Sequence, residues 1–109
     1  MSADLRTYDG LVVQPERPDG ARGHYHQDGS LVWAEFAGGP VRSGRLVGTC
    51  GPDGVITAGY CQLMADGSVI AGTCVSTPDR LADGRLRLTE RWRRADGAVG
   101  VSRIEEVRG

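Results

Sequence analysis

Hydrophobic and polar side chains alternate with a period of two along most of this chain. The pattern is clearest in residues 85–93, where Leu86, Leu88, Glu90 and Trp92 share one side and arginines dominate the other. A period of two is that of a β-strand, whose successive side chains point to opposite faces of the sheet. Because a row of unpaired arginines must meet water, we expect Leu86, Leu88, Glu90 and Trp92 to point inward.

Turn signals divide the rest of the chain into short segments. Seven Asp-Gly pairs and one Gly-Gly-Pro sequence occur in 109 residues, and Asp-Gly favours hairpin turns because Gly adopts positive φ freely and Asp tolerates it. The segments between them have the length of strands. The predicted strands are 5–15, 21–27, 31–37, 41–50, 55–64, 69–77, 85–94 and 99–107. We therefore predict an all-β fold, an eight-stranded antiparallel up-and-down β-barrel, with 1–109 as a single domain.

The length of each turn decides which side chains face each other, because a one-residue slip moves them to the opposite face. With a four-residue turn at 95–98, Arg94 opposes Val99 and Glu90 opposes Arg103. A carboxylate inside a narrow barrel beside an arginine is a candidate general acid or base, or an anchor for a polar ligand. The alternative is an ion pair that only fixes the strand register.

The fifth and sixth predicted strands form a hairpin without a strongly polar face. If Met64 opposes Val69, Tyr60 and Met64 share one face and small side chains share the other. We expect the face of small side chains to line the barrel, because it leaves room in a narrow lumen. This Gly/Cys face consists of Gly59, Cys61, Gly72 and Cys74. The face with Tyr60 would then be an exposed apolar patch, which predicts a homodimer interface within 44–76.

Two histidines, His24 and His26, flank Tyr25 just before a predicted turn. Period two places both histidines on one face and Tyr25 on the other. If 28–29 form the loop, His24 opposes Trp33, and a histidine beside an inward tryptophan could carry protons near neutral pH. The alternative is a pair of solvated histidines at the mouth of the barrel.

Candidate site residues follow from these faces. Catalytic roles are predicted for Glu90, His24 and His26, and ligand-binding roles for Tyr25, Trp33, Tyr60, Cys74, Trp92 and Arg103. The aromatic residues could equally be core, and Cys74 could be a small buried hydrophobe. No GxSxG, P-loop or dinucleotide-binding motif is present. We expect no cofactor, and no metal site either, because no cysteine pair has CxxC spacing.

Composition and net charge argue against some classes of binding partner. The net charge of −1 gives no basic field for nucleic acid, and no apolar run is long enough to span a membrane as a helix. The N-terminus has no pattern of a secretory signal, and three cysteines are an odd number. We therefore expect reduced thiols and a cytoplasmic location.

A set of motifs in a fixed order carries a resemblance to a known family. They are Tyr8-Asp9-Gly10, His24-Tyr25-His26-Gln27, Val32-Trp33, Gly38-Gly39, Gly44-x-Leu46-x-Gly48, Gly72-x-Cys74-x-Ser76-Thr77-Pro78 and Asp83-Gly84-Arg85-Leu86-Arg87-Leu88-x-Glu90-x-Trp92. In these motifs the chain is similar to small bacterial proteins grouped as avidin-like, which are often mislabelled N-acetylglutamate synthase. The resemblance covers nearly the whole chain and implies a calycin-type barrel of eight strands. It does not imply acetyl transfer, because the chain has no acetyl-CoA loop and is too short for that fold. Nor does it imply biotin binding, because no ligand residues can be carried over one by one.

Two functions are compatible with these features. The first is a cytoplasmic barrel that binds a small apolar or amphipathic molecule in its lumen. The second is a cofactor-free cyclase or isomerase of a secondary-metabolite pathway, with a lumenal acid or base. A proton donor beside an open pocket would favour catalysis, and a filled core would leave only a structural dimer.

Overall fold

Eight antiparallel strands, paired in chain order, close into a barrel in the computed structural model, which describes residues 8–16 and 20–107. The strands are β1 (Val12–Pro15), β2 (Arg22–Asp28), β3 (Leu31–Gly38), β4 (Val41–Cys50), β5 (Ile56–Met64), β6 (Val69–Arg80), β7 (Leu86–Arg94) and β8 (Val99–Glu106). The barrel closes where β1 pairs with β8. The predicted all-β barrel is confirmed. The described residues include no helix long and apolar enough to cross a membrane.

Strand β1 is shorter than the sequence predicts. Its predicted start, residues 5–7, lies outside the described residues, and the Asp9-Gly10 pair forms a turn before Val12. Strand β6 is longer than predicted and continues through Pro78, which opposes Leu88 across the sheet. Six of the eight strands otherwise lie within about two residues of their predicted ends.

Four hairpin turns, at 51–54, 64–67, 81–84 and 94–97, share one construction. In the last of them the Gly97 N–H donates to the Arg94 carbonyl at 3.0 Å, and the Arg94 N–H donates to the Ala98 carbonyl at 2.7 Å. Gly97 has φ of +96°, whereas no residue other than glycine has positive φ among the described residues. The Asp96 carboxylate accepts the Ala98 N–H at 2.9 Å. Each turn is therefore a type I turn followed by a left-handed glycine, which makes a three-residue loop.

This turn construction corrects two predicted registers by one residue each. Arg93, and not Arg94, opposes Val99, and Glu90 therefore opposes Ser102. The predicted Glu90–Arg103 pair is wrong. In the same way Leu63 rather than Met64 opposes Val69. The loops contain three residues, one fewer than predicted. In each of them the aspartate keeps a right-handed backbone conformation, and only the glycine is left-handed.

The corrected register changes which residues of β5 and β6 face inward. Tyr60 opposes Gly72 and faces the lumen, so the predicted apolar patch with Tyr60 outside the barrel is wrong. Gly59 and Cys61 lie on the outer face, and Cys61 is exposed. Cys74 is buried inside the barrel, as predicted. The Gly/Cys face is therefore split between the two sides of the sheet.

Residues 8–11, which precede β1, close one end of the barrel. The fully buried Tyr8 donates its hydroxyl proton to the Gly54 carbonyl, and its N–H donates to Gln27 Oε1 at 3.1 Å. Leu88 and Ile56 are also fully buried at this end. The turns before β3, β5 and β7 surround this packed end, whereas the lumen extends toward the opposite end.

Two inward glycines allow aromatic rings to lie flat against the wall near the open end. A Cβ at Gly44 would stand 2.2 Å from the Phe36 ring, and a Cβ at Gly100 would stand 2.2 Å from the Trp92 ring. Both distances are far inside van der Waals contact. Phe36 and Trp92 can therefore cover neighbouring strands without filling the centre of the barrel.

Candidate ligand-binding lumen

The lumen holds two adjoining lobes. The Trp92 lobe, of about 230 Å³, is lined by Tyr60, Trp92 and Arg94 among others. The Phe36 lobe, of about 220 Å³, is mostly apolar, with Phe36 and Ile104 among its walls. Each lobe alone is smaller than the range of about 300–1,000 Å³ that is usual for drug-sized ligands.

Four side chains line both lobes: Leu46, Gln62, Glu90 and Ser102. Because they are shared, the two lobes are parts of one lumenal space that meet at these residues. The strands β4, β5, β7 and β8 each contribute one of them. One mostly apolar lobe, one more polar lobe and three polar side chains between them suit an amphipathic molecule better than a wholly apolar one.

Glu90 is the charged group at this junction. It faces inward, as the sequence predicts, because it lies on the same face of β7 as the buried Leu88 and the lumenal Trp92. Within the described residues its side chain accepts one hydrogen bond, from Ser76 Oγ at 3.5 Å, and makes no ion pair. Burial raises the pKa of Glu90 from 4.5 to about 7, and the Ser76 hydroxyl opposes this shift. Glu90 can therefore hold or release a proton near neutral pH.

The Trp92 lobe ends at an arginine. The Arg94 guanidinium stacks on the Trp92 ring at 5.1 Å from its centroid, and Trp92 Nε1 donates to Ser102 Oγ at 3.0 Å. Burial raises the pKa of Tyr60, and the nearby Arg94 acts in the opposite direction. Trp92 faces the lumen as the sequence predicts, whereas Tyr60, which was predicted to lie outside the barrel, also forms part of the lumenal wall. The ligand-binding role of both residues stays a prediction.

Two further predicted ligand-binding residues, Tyr25 and Cys74, also face the lumen. Tyr25 is almost fully buried and lines the Phe36 lobe. Burial, with a smaller contribution from the charge of Glu90, raises the pKa of Tyr25 well above its ordinary value. The same two causes raise the pKa of Cys74 to about 11. Cys74 is therefore a neutral thiol near pH 7, which suits a wall residue and not a nucleophile.

The two histidines lie on the outer wall of the barrel. His26, not His24, opposes Trp33, and its ring stacks on Trp33 with centroids 5.3 Å apart. His26 Nε2 lies 2.8 Å from Glu35 Oε1, and His24 opposes Glu35 in the sheet. The predicted register of this hairpin is wrong by two residues, because the loop is Gly29-Ser30. The buried Tyr25 takes the inward position between the two histidines, which therefore do not reach the lumen, and Trp33 points outward with them.

Arg103 also lies outside the lumen. It opposes Thr89 and is exposed, whereas its neighbours Ser102 and Ile104 line the cavity. Of the residues that line both lobes, Leu46, Gln62 and Ser102 are missed by the sequence reasoning. Gln62 lies two residues after Tyr60 on the same face of β5, so the correct turn length would have placed it in the lumen. No three His, Cys, Asp or Glu side chains of the described residues are grouped so that they could hold a metal ion.

Comparison with known proteins gives one match. A family model described as "Avidin-like protein" matches residues 6–107, which is nearly the whole chain. No curated protein and no solved structure matches.

Proposed function

The chain belongs to the avidin-like family, and on this basis we propose that its lumen binds a small amphipathic molecule. The observation that carries the proposal is the two-lobed lumen, which is packed at the Tyr8 end and open at the other. The apolar part of the ligand would occupy the Phe36 lobe, where burial of each CH₂ contributes about 0.8 kcal/mol. Its polar part would lie between Glu90, Gln62 and Ser102.

A pair of variants in β8 tests whether binding occurs in the lumen. Ser102 lines both lobes, whereas its neighbour Val101 is 52% exposed on the outer wall. In the Ser102→Leu variant the larger side chain should fill the junction and abolish binding of amphipathic probes such as 2-phenylethanol, measured by calorimetry. The Val101→Leu variant adds one methylene outside the lumen and should bind as the wild type does. Equal binding by both variants would contradict the proposal.

A second candidate is a cofactor-free cyclase or isomerase, and the position of Glu90 favours it. A carboxyl group with a pKa of about 7 beside an open cavity has the acidity of a general acid or base. With 4-phenyl-2-butanone as an enolisable probe in D₂O, a lumenal base would raise the rate of deuterium incorporation above that of buffer. Glu90→Gln should remove the excess rate. If the protein does not raise the rate of deuterium incorporation above that of buffer, ligand binding alone remains the proposed function.

The outer wall supports association of two copies. Trp33 of β3 and Val47 of β4 oppose each other on this wall, and Val47 is 58% exposed. This outer apolar face consists of Leu31, Trp33 and Val47. We place the homodimer interface here and the protein in the cytoplasm, where free thiols such as that of exposed Cys61 remain reduced.

A further inference from the structure

The unpaired carboxylate in the lumen is the feature that restricts the ligand most. Glu90 lines both lobes, so a molecule that occupies either of them comes within reach of it. A carboxylate accepts hydrogen bonds through two oxygens and donates none when ionised. Its single recorded donor among the described residues is Ser76 Oγ, at the long distance of 3.5 Å. Most of its capacity to accept hydrogen bonds therefore faces the cavity.

No cation of the described chain neutralises Glu90. Arg94 is the arginine that shares a lobe with it, and its guanidinium lies against the Trp92 ring instead. Arg103, which was predicted to pair with Glu90, lies on the outer wall of the barrel. A carboxylate that is partly taken out of water without a cationic partner raises the free energy of the folded protein, and a bound cation with a hydrogen bond to it would reduce this penalty.

The groups around Glu90 leave room for such a cation. Tyr25 of β2, Tyr60 of β5 and Cys74 of β6 approach it from three strands, and burial keeps all three neutral near pH 7. Tyr60 and Trp92 also present aromatic faces in the adjoining lobe, and such faces attract cations. Beside this polar region, the Phe36 lobe offers an apolar compartment.

We propose that the lumen selects amphipathic molecules that carry one protonated nitrogen, which donates its N–H groups to Glu90 while the apolar body fills the Phe36 lobe. This assignment rests on the proposed binding function and deepens it by naming the chemical class of the ligand. The ligand is an amine or a related organic cation of modest size. An anionic molecule of the same shape would bind more weakly, because Glu90 repels it.

Three matched probes test the assignment by calorimetry at pH 8: 2-phenylethylamine, 2-phenylethanol and phenylacetate. They share a phenyl body and differ in a cationic, neutral or anionic head. The amine should bind wild type at least about tenfold more tightly than the alcohol, because a charged hydrogen bond is worth more than a neutral one. Phenylacetate should bind more weakly than the alcohol.

Two glutamine variants separate the role of Glu90 from the general charge of the protein. Glu90→Gln should reduce the affinity for the amine to that for the alcohol and leave the alcohol affinity unchanged. Glu105→Gln removes one carboxylate from the outer wall, where Glu105 lies 3.6 Å from Arg85, and should leave the preference intact. A preference that survives Glu90→Gln would overturn the assignment.

The pH dependence gives a second readout. Between pH 8 and pH 6 the amine stays protonated while Glu90 takes up a proton, so the affinity for the amine should fall by about tenfold and that for the alcohol should stay constant. If the alcohol binds as tightly as the amine, the proposed binding function stands and the assignment of Glu90 fails. If none of the three probes binds, the lumenal binding function fails together with it.

Discussion

Glu90 shows how one residue acquires its chemistry from two neighbouring strands. The alternation of β7 directs it into the lumen between Leu88 and Trp92, whereas the turn before β8 decides that Ser102 and not Arg103 lies opposite. Without the arginine, burial dominates and raises the pKa of Glu90 to about 7. The carboxyl therefore destabilises the barrel when it is ionised, and this is why we propose it as a ligand-binding group.

Replacement of Glu90 by glutamine should raise the free energy of unfolding at high pH, whereas the loss of a structural ion pair would lower it. The raised pKa means that the stabilising protonated form is fully present in the folded state below about pH 4.5 and is lost as the pH rises through about 7. Wild type should lose about 3 kcal/mol of unfolding free energy over this range relative to Glu90→Gln. Urea denaturation at pH 5 and pH 8 measures the difference. A variant that is less stable than wild type at pH 8 by several kcal/mol would show that Glu90 has a cationic partner.

At the scale of the strands and turns, the alternation along each strand predicts its faces, but the pairing between strands depends on single residues of the loops. Leu86, Leu88 and Trp92 could be placed inside from the sequence because the other side of β7 carries arginines. Ser102 and Gln62 could not, because their faces depend on loops that contain three residues instead of four. An Asp-Gly pair marks a turn without determining its length, since the aspartate adopts either hand.

Two glycines of the β7–β8 hairpin should respond differently to alanine. Gly97→Ala places a Cβ in open space but keeps φ of +96°, so it should lower the unfolding free energy by about 1–2 kcal/mol without moving Trp92. Gly100→Ala should displace the Trp92 ring and change its fluorescence. The measurement uses Trp33→Phe as background, so that Trp92 is the only tryptophan. Identical emission spectra of the two variants would contradict the inward position of Trp92.

For the whole molecule, the inner and outer walls of the barrel differ in structure. The inner wall combines a packed end with an open lumen, and the outer wall carries the outer apolar face beside histidines and arginines. The sequence predicted the barrel and an apolar outer surface on its middle strands. It assigned the wrong residues to that surface because the β5–β6 register differed by one.

The outer apolar face should hold two copies together. Sedimentation at tens of micromolar should show a dimer for wild type, since micromolar affinity corresponds to about 8 kcal/mol. Val47→Asp places a charge opposite Trp33 in this face and should give a monomer with an unchanged fold. Ala82→Asp, at an exposed turn, serves as the control and should remain dimeric. A wild-type monomer at this concentration would refute the proposed interface.

The most direct test of lumenal binding is to locate a bound probe on the barrel. Amide resonances would be followed by ¹H–¹⁵N NMR during titration with 2-phenylethylamine. The account predicts the largest shifts at the inward residues Gly23, Leu46, Gln62, Glu90 and Ser102. The outward residues Val47 and Val75 should show little change. Shifts confined to the outer wall, or no shifts at millimolar probe, would contradict the claim that the lumen is the binding site.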